Sequence, residues 1–196
     1  MLLIQYGFLS TAVCRNLIAG FRQISETYEK ADDYVRRYEH RTSICGIAIK
    51  RAGIQGVSER ISDIRQRVAD ALCRFYDFPD PTHIDFTLAT EMRVGDCHPL
   101  HADNQSCNDD GVWIPNHTSY HYGAALLYLN DAGVDYEGGV LRFPSREREI
   151  VPQAGMLVGF MCDRNYQHEV TTIRQGRRYA ISVWVTRDAE HAEYWD

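Results

Sequence analysis

The segment Arg178-Tyr179-Ala180-Ile181-Ser182-Val183-Trp184-Val185 is rich in β-branched and aromatic residues, which favour a β-strand. Successive side chains of a strand point to opposite faces of its sheet. One face would therefore carry Arg178, Ala180, Ser182 and Trp184, and the other face the remaining four residues. An arginine, a hydroxyl and an indole on one face predict a polar pocket lined by the wall of a β-barrel.

A candidate metal site precedes this strand along the chain. His101 and Asp103 lie two residues apart, so an extended strand would point both side chains to one face. His168 lies in a second predicted strand, 166–171. Two imidazoles and one carboxylate suit iron(II), because they occupy one face of its octahedron and leave positions open for a chelating acid and dioxygen. A guanidinium binds a carboxylate through two charge-assisted hydrogen bonds, so Arg178 is the predicted anchor of that acid.

Other residues near these positions offer competing ligands. His98 is a rival to His101, but a proline follows it and the two-residue spacing favours His101. Asp96 is a rival to Asp103, but its place after a glycine is typical of a turn. Arg177 is expected to face solvent. The other histidines are predicted to be structural: His40, His83, His117, His121 and His191.

Five motifs between about residues 90 and 188 resemble, in their order, the catalytic core of the iron(II)/2-oxoglutarate-dependent oxygenases, in the prolyl hydroxylase branch. They are His101-Ala102-Asp103-Asn104, Leu126-Leu127-Tyr128-Leu129-Asn130, Glu137-Gly138-Gly139-Val140-Leu141-Arg142-Phe143-Pro144, His168-Glu169-Val170 and Arg178-Tyr179-Ala180-Ile181-Ser182-Val183-Trp184. Asp103-Asn104, Trp113 and the Leu126–Asn130 motif are similar to the collagen prolyl 3-hydroxylase (leprecan) group. The last two motifs resemble the oxygen-sensing prolyl hydroxylases.

The resemblance implies a mainly β fold, a double-stranded β-helix (a jelly-roll or cupin-like barrel) with supporting N-terminal helices packed on one sheet. It implies that His101, Asp103 and His168 bind iron(II), that 2-oxoglutarate chelates the metal and that its far carboxylate contacts Arg178. Dioxygen is the second co-substrate, and ascorbate is the implied reductant.

Further residues match family positions around the co-substrate. The hydroxyls of Tyr128 and Ser182 are expected to bond its far carboxylate, Leu141 to pack against its methylene groups and Trp184 to lie near the iron. The implied reaction hydroxylates an unactivated C–H bond and releases succinate and carbon dioxide. Halogenating relatives have a small residue in place of Asp103, so hydroxylation is favoured. One departure is the segment 90–94, where many prolyl hydroxylases have a tyrosine and this chain has none.

The composition agrees with a soluble enzyme that has a single hydrophobic core. The chain has 196 residues, of which 44% are hydrophobic, and a formal net charge of −6, which disfavours nucleic acid or an anionic membrane as the main partner. The six cysteines contain no Cys-x-x-Cys pair and are expected to be reduced thiols in a cytoplasmic protein. Met1–Ile4 is too short for a membrane span and lacks the basic residues of a signal peptide.

The pattern along the chain predicts a single domain, 1–196, with a helical support region (1–82) and a jelly-roll catalytic core (83–188). An edge strand is predicted at 2–8, a helix capped by Ser10, a short exposed helix or loop at 26–41, and a longer helix at 58–76. The apolar stripes of the helices are expected to pack on one outer sheet of the barrel.

The connection 104–119 is polar and long, which is typical of a binding loop or lid. Asn104 begins it, and the aromatic residues Trp113 and Tyr122 are candidates for substrate contact. A solvated insertion is the alternative.

Three functions remain open at this point. The leading one is a hydroxylase of a prolyl or other amino-acid residue, in a peptide or as a free amino acid. The second is an oxygenase that tailors another small metabolite. The third is a non-catalytic barrel that retains metal, since a fold does not define a function. The oligomeric state is not predicted.

Overall fold

The computed structural model describes residues 1–27, 35–54 and 56–195. Its helices are α1 (Thr11–Thr27), α2 (Gly46–Arg51) and α3 (Ser58–Tyr76). Its strands are β1 (Leu3–Gln5), β2 (Val35–Arg37), β3 (Arg41–Cys45), β4 (His83–Arg93), β5 (His98–His101), β6 (Gln105–Cys107), β7 (Trp113–Pro115), β8 (His121–Tyr128), β9 (Tyr136–Glu137), β10 (Leu141–Phe143), β11 (Arg148–Ile150), β12 (Leu157–Met161), β13 (His168–Val170) and β14 (Gln175–Thr186).

Two antiparallel sheets form a double-stranded β-helix, which confirms the predicted fold class. The major sheet has the order β1-β12-β8-β14-β4-β3-β2, and the minor sheet has the order β11-β10-β13-β5. Apolar side chains from both sheets, among them Phe143 and Phe160, form an interior cluster between them. A second apolar cluster lies between the major sheet and the helices.

Strand β14 contributes to both clusters, as its alternation predicted. Ala180 belongs to the interior cluster, and the indole of Trp184 packs against that cluster. Ile181 and Val183 belong to the helix-side cluster and are fully buried. β14 pairs with β4 on one side and β8 on the other, so it lies in the middle of the major sheet.

The helices cover the outer face of this sheet, as expected. The stripe of α1 includes Leu17 and Ile24, and the stripe of α3 includes Ile61 and Leu72; all four side chains are fully buried. Burying a side chain of this size stabilises the fold by about 1.5–3 kcal/mol relative to leaving it in water. The Oγ of Ser10 accepts a hydrogen bond from the N–H of Val13 (3.3 Å), so the predicted helix cap is present. None of the helices in the described ranges combines the length and the apolarity needed to cross a membrane.

The region before residue 83 is not purely helical. Strands β2 and β3 extend the major sheet beyond β4, and β1 pairs with β12 at the opposite edge. β1 is shorter than the predicted strand 2–8. Part of the predicted helix or loop 26–41 is β2, while residues 28–34, with Tyr28 and Tyr34, lie outside the described residues. β2 and β3 escaped prediction because β2 has only three residues and β3 shows no alternation of apolar and polar residues.

Candidate metal and co-substrate site

Strand pairing in the minor sheet brings the two predicted histidine ligands together. His101 ends β5 and His168 begins β13, and the two residues are direct partners in the antiparallel register. Asp103 follows His101 at the bend that ends β5. The ligand-capable atoms of His101, Asp103 and His168 all lie within 4.8 Å of one another, and no other group of this kind occurs in the part of the chain that the structure describes.

The two carboxylate oxygens of Asp103 have different surroundings. Oδ2 accepts hydrogen bonds from the Nε1–H of Trp184 (3.0 Å) and the S–H of Cys162 (3.6 Å). Oδ1 lies 3.4 Å from Nε2 of His101 and 3.7 Å from Nε2 of His168. Oδ2 is therefore engaged by the protein, while Oδ1 faces the point at which the two imidazoles converge.

The histidines are oriented by backbone carbonyls. Nδ1 of His168 lies 3.0 Å from the carbonyl oxygen of Tyr166, and Nδ1 of His101 lies 2.8 Å from that of Pro99. A carbonyl oxygen only accepts hydrogen bonds, so each Nδ1 carries the proton and each Nε2 presents a lone pair. Metal-binding histidines are commonly fixed in this way by a carbonyl or carboxylate behind the ring.

The protonation states of this cluster suit a cation. Burial raises the pKa of Asp103, but the hydrogen bond that His101 donates and the positive charge that both imidazoles carry when they are protonated outweigh burial and lower the pKa to about 2. Burial lowers the pKa of His168, which favours the neutral form of that ring. Burial also lowers the pKa of His101, but its hydrogen bond with Asp103 outweighs burial and raises it. Metal ligands bind in their deprotonated forms, so metal competes with a proton mainly at His101.

A small cavity of about 110 Å³ adjoins the cluster and has Arg178 in its wall. Arg178 is 2% exposed and lies over the ring of Tyr128, with its Cζ 5.1 Å from the ring centroid. Its Nη1–H points to Sδ of Met92 (3.1 Å), whereas its Nε and Nη2 have no partner among the described residues. A guanidinium stays charged at any accessible pH, and an unpaired buried charge costs several kcal/mol. The cavity therefore fits an anionic ligand.

Two tyrosine hydroxyls beside Arg178 also lack partners in the described structure. Burial raises the pKa values of both Tyr128 and Tyr136, so both stay protonated and can donate a hydrogen bond. Sequence analysis missed Tyr136, although it directly precedes the Glu137–Pro144 motif. Its ring packs in the interior cluster, 2% exposed, and the charge of the nearby Arg178 acts against the burial that raises its pKa.

The double glycine of that motif makes room for Arg178. Gly138 and Gly139 both have positive φ angles, +84° and +65°. A Cβ on Gly139 would lie 2.9 Å from Cδ of Arg178, and a Cβ on Gly138 would collide with the carbonyl oxygen of Thr172. A residue with a side chain would be strained at these positive φ angles and would also clash with its neighbours.

The other predicted co-substrate residues lie on the interior side of the barrel. Ser182 lines the cavity and is 6% exposed. Trp184 also lines the cavity and donates to Asp103. Leu141 is fully buried in the interior cluster and, like Tyr128 and Tyr136, is not among the cavity-lining residues; its packing against the co-substrate stays a prediction.

The candidate substrate contacts are placed differently from the prediction. The connection 104–119 contains the hairpin β6–β7, so it is not an irregular loop. The amide of Asn104 donates to the carbonyl of His121 (2.9 Å), which is a structural role. Trp113 lies in the hairpin, paired with Cys107, and does not line the cavity. The ring of Tyr122 packs on Phe78 in the helix-side cluster, away from the metal ligands.

The rival ligands have other partners. His98 contacts His101 through Nδ1 (3.2 Å), and burial together with that imidazole lowers its pKa to about 3. Asp96 accepts two hydrogen bonds from the guanidinium of Arg41, at 2.8 and 2.9 Å. Arg177 is exposed, as predicted, and pairs with Glu91.

A wide groove of about 610 Å³ continues from the mouth of the small cavity. Both are lined by Arg41, Ser43 and Leu88, and the groove also has exposed rings of Tyr38 and Phe86. Its wall is largely β3 and the turn before it, which sequence analysis did not predict.

With this geometry established, comparisons with known proteins define the class. Residues 87–186 match the family model of the 2OG-Fe(II) oxygenase superfamily. The chain belongs to this superfamily, and the match contains Arg178 and all three residues of the candidate metal site.

Three more specific similarities accompany the family match. Prolyl 3-hydroxylase 3 of Mus musculus is 30% identical over 95% of this chain, although the chain spans only 29% of that protein. The viral collagen prolyl hydroxylase of Paramecium Bursaria Chlorella virus-1, in its 2OG complex, has a TM-score of 0.69 at 16% identity and covers 94% of each chain. The Trichoplax adhaerens prolyl hydroxylase bound to a hypoxia inducible factor peptide has a TM-score of 0.65 at 17% identity over 97% of this chain and 84% of the other. The two structures share the fold.

Proposed function

We propose that this protein is an iron(II)- and 2-oxoglutarate-dependent hydroxylase of a prolyl or other amino-acid residue. The observation that carries the proposal is the position of the His101–Asp103–His168 cluster beside a buried arginine whose Nε and Nη2 lack partners in the described structure. A cation bound by the first group leaves room for a ligand whose anionic end reaches the second. Two neutral imidazoles and one carboxylate are the donor set that non-haem iron(II) oxygenases use.

The residues fit the two groups in distinct ways. Oδ1 of Asp103 and the Nε2 atoms of His101 and His168 would hold the metal. Arg178 would bind the far carboxylate of 2-oxoglutarate, with hydroxyl donors from Tyr128 and Tyr136. When bound, the metal and the keto acid supply the oxidation of an unactivated C–H bond, with release of succinate and carbon dioxide.

The protein's own contribution is orientation and exclusion of water. Trp184 and Cys162 hold Oδ2 of Asp103, so the carboxylate keeps one oxygen for the metal. Arg178, with its neighbouring hydroxyls, would hold the far carboxylate of the acid and so orient it. Ser182 lies in the cavity wall and would be a further hydroxyl donor to that carboxylate.

The groove supports a substrate residue within a peptide chain. The groove, which shares lining residues with the small cavity, is several times larger than that cavity and carries exposed aromatic rings. Tyr38 and Phe86 suit contact with an extended peptide or with proline rings. The names of the similar proteins point the same way, since they are prolyl hydroxylases and one is bound to a peptide. A free amino acid or other metabolite is the second candidate.

Ascorbate as reductant and a cytoplasmic location are also part of the proposal. The scattered cysteines, without a Cys-x-x-Cys pair, support a reducing compartment. The net charge of −6 supports a partner other than nucleic acid or membrane. Omission of ascorbate from the assay and fractionation of cells test these two points.

The test is an assay of succinate formation under iron(II), 2-oxoglutarate, ascorbate and air, with pools of proline-containing peptides. The expected result is peptide-dependent succinate and a mass gain of one oxygen on proline. Succinate formation with a free amino acid or metabolite, and with no peptide, would assign the second candidate. No succinate with any substrate would leave a metal-binding barrel and refute the enzymatic function.

A further inference from the structure

A buried carboxylate–imidazole pair lies next to the metal cluster and has no part in the function proposed above. Oδ2 of Asp85 is 2.7 Å from Nδ1 of His121, and the two side chains are 0% and 7% exposed. The ring of His121 stacks on the indole of Trp184, with 5.5 Å between centroids and an interplanar angle of 21°. The pair therefore touches the side chain that orients Asp103.

Two β-bulges place this pair on the interior face of the major sheet. In the pairing of β14 with β4, Trp184 is opposite Phe86 and Val185 is opposite Ile84, so Asp85 is the extra residue. In the pairing of β14 with β8, Val185 is opposite Gly123 and Thr186 is opposite His121, so Tyr122 is the extra residue.

Each extra residue reverses the alternation of its strand beyond the bulge. Without it, Asp85 would point to the helices, as its neighbour Ile84 now does. The bulge in β8 likewise turns Tyr122 to the helix side and His121 to the interior. Bulges that re-aim a side chain are concentrated next to active sites. Two of them, on opposite sides of the same point in β14, bring Asp85 and His121 together beside Trp184.

The backbone of His121 supports Asp103 by a second route. Its carbonyl accepts the amide of Asn104 (2.9 Å), the residue that follows Asp103. Its N–H donates to the carbonyl of Thr118 (2.9 Å), whose Oγ1 donates to the carbonyl of Asp103 (2.7 Å). Both parts of His121 therefore support Asp103. The side chain does so through Trp184, and the backbone does so through Asn104 and Thr118.

Stability alone does not explain this pair. Burial raises the pKa of Asp85, although the hydrogen bond from His121 acts in the opposite direction. Oδ1 of Asp85 has no partner among the described residues. Replacing such a buried pair by apolar side chains is often neutral or stabilising, because the pair must lose its hydration when it is buried. The net contribution of the pair to the folding free energy is therefore small. A role in fixing geometry accounts for its presence.

We propose that Asp85 and His121 are positioning residues that hold the indole of Trp184 and, through it, direct Oδ1 of Asp103 to the metal. The inference rests on the proposed function in taking His101, Asp103 and His168 as metal ligands. Asp85 fixes the plane of the imidazole, the imidazole fixes the plane of the indole, and the indole N–H holds Oδ2 of Asp103.

The test measures binding of manganese(II), a redox-stable substitute for iron(II), to the full chain by isothermal titration calorimetry. Asp85→Asn keeps the side-chain volume and removes the charged acceptor of His121. It is expected to weaken manganese binding about tenfold, the lower end of the effect of residues that orient ligands. Trp184→Phe, which removes the donor to Asp103, is expected to weaken binding at least as much.

The double variant Asp85→Asn/Trp184→Phe separates a positioning role from a structural one. Because the pair acts through the indole, the double variant is expected to bind manganese within about twofold of Trp184→Phe alone. Multiplication of the two single effects would overturn the proposal, as would parent-like affinity in Asp85→Asn. If Asp85→Asn does not fold, His121→Asn replaces it, since its amide retains a donor to Asp85 and removes the stacked ring; the same outcomes apply.

Glu193→Gln is the matched control. Glu193 forms a buried ion pair with Arg65 (2.8 Å), with side chains 7% and 5% exposed, on the helix side of the major sheet. This variant is expected to lower the free energy of unfolding and to leave manganese affinity unchanged. An equal loss of affinity in Glu193→Gln would show that any buried ion pair has this effect and would overturn the proposal. Failure of the parent to bind manganese would instead refute the ligand assignment on which the proposal rests.

Discussion

The two faces of the major sheet are formed by the same strands but have different roles. One face packs against the helices, and the other carries the residues of the candidate site. On the helix side, β14 presents Ile181 and Val183 to the stripes of α1 and α3, and the contacts are almost wholly apolar. On the interior side, the alternate residues include Arg178 and Trp184, which meet a cavity and a carboxylate. Because side chains alternate along β14, odd-numbered residues between 178 and 185 pack against the helices and even-numbered residues in that range face the candidate site.

This difference indicates that the apolar helix-side cluster supplies the folding free energy that keeps the buried polar residues of the interior face in place. Arg178 keeps two nitrogen donors without partners in the described structure, at a cost in free energy that the helix-side cluster must offset. The comparison predicts that substitutions on the interior face change ligand binding with modest effects on stability. Substitutions on the helix side should lower stability with little effect on ligand binding.

The largest effect is expected for Asp103→Ala on the interior side. Loss of the only carboxylate of the cluster should abolish hydroxylation and weaken manganese binding, because two imidazoles alone form a poorer site. Calorimetric titration and the succinate assay measure the two effects. Asp96→Ala is the control, since that carboxylate pairs with Arg41 outside the cluster and its loss should leave metal affinity unchanged. Full activity of Asp103→Ala would reject Asp103 as a ligand.

Arg178→Met should act on the co-substrate more than on the metal. A charge-assisted hydrogen bond contributes about 1.5–3 kcal/mol, so the 2-oxoglutarate concentration for half-maximal rate should rise roughly 10- to 100-fold. Arg177→Met, one residue earlier and exposed on the other face, should leave it unchanged. If both variants need the same 2-oxoglutarate concentration as the parent, Arg178 does not bind the acid.

Leu72→Ala tests the helix side. Leu72 is fully buried on α3 and faces Gly159 of β12, so its truncation leaves a cavity and should lower the free energy of unfolding by about 2–5 kcal/mol. Urea unfolding measures this loss, and 2-oxoglutarate binding by the folded variant should be unchanged. Arg74→Ala, exposed on the same helix, should change stability by less than about 0.5 kcal/mol. A large change in 2-oxoglutarate affinity in Leu72→Ala would contradict the separation of the two faces.

Glu91→Gln should have the smallest effect, and one that depends on pH. Burial raises the pKa of Glu91, but hydrogen bonds from Tyr179 and Arg93 and the charge of Arg177 outweigh burial and lower it. A carboxyl with a lowered pKa in the folded state stabilises the fold above its unfolded pKa and loses that contribution as pH falls through its folded pKa. The stability difference between parent and variant, from urea unfolding, should therefore be larger at pH 7 than at about pH 3. A difference that grows on acidification would contradict this assignment.

Much of this arrangement was predictable because it follows local rules. The alternation of β14 predicted both of its faces, and the 3.6-residue period predicted α3 with the bounds that the structure has. The spacing of His101 and Asp103 on an extended segment predicted that they would lie together, and the structure places them beside His168. Their role as ligands stays a prediction.

The features that escaped prediction depend on contacts between distant segments. β3 pairs with the edge of β4 and β2 pairs in turn with β3, and α2 is too short to show a helical period. The ring of Tyr136 and the side chain of Arg178 both lie against Gly139, where an added Cβ would be 2.9 Å from each of them.

The bulges were hidden for a similar reason. A bulge is a mismatch between two strands and is not visible in either strand alone. Regular alternation would have turned the ring of Tyr122 to the interior, whereas the bulge turns it to the helix-side cluster.

The most direct test is a crystal structure with manganese(II) and 2-oxoglutarate bound. We expect the metal on Nε2 of His101 and His168 and on Oδ1 of Asp103, with the far carboxylate of the acid on Arg178. A metal bound elsewhere, or an acid whose far carboxylate does not contact Arg178, would contradict the proposed site.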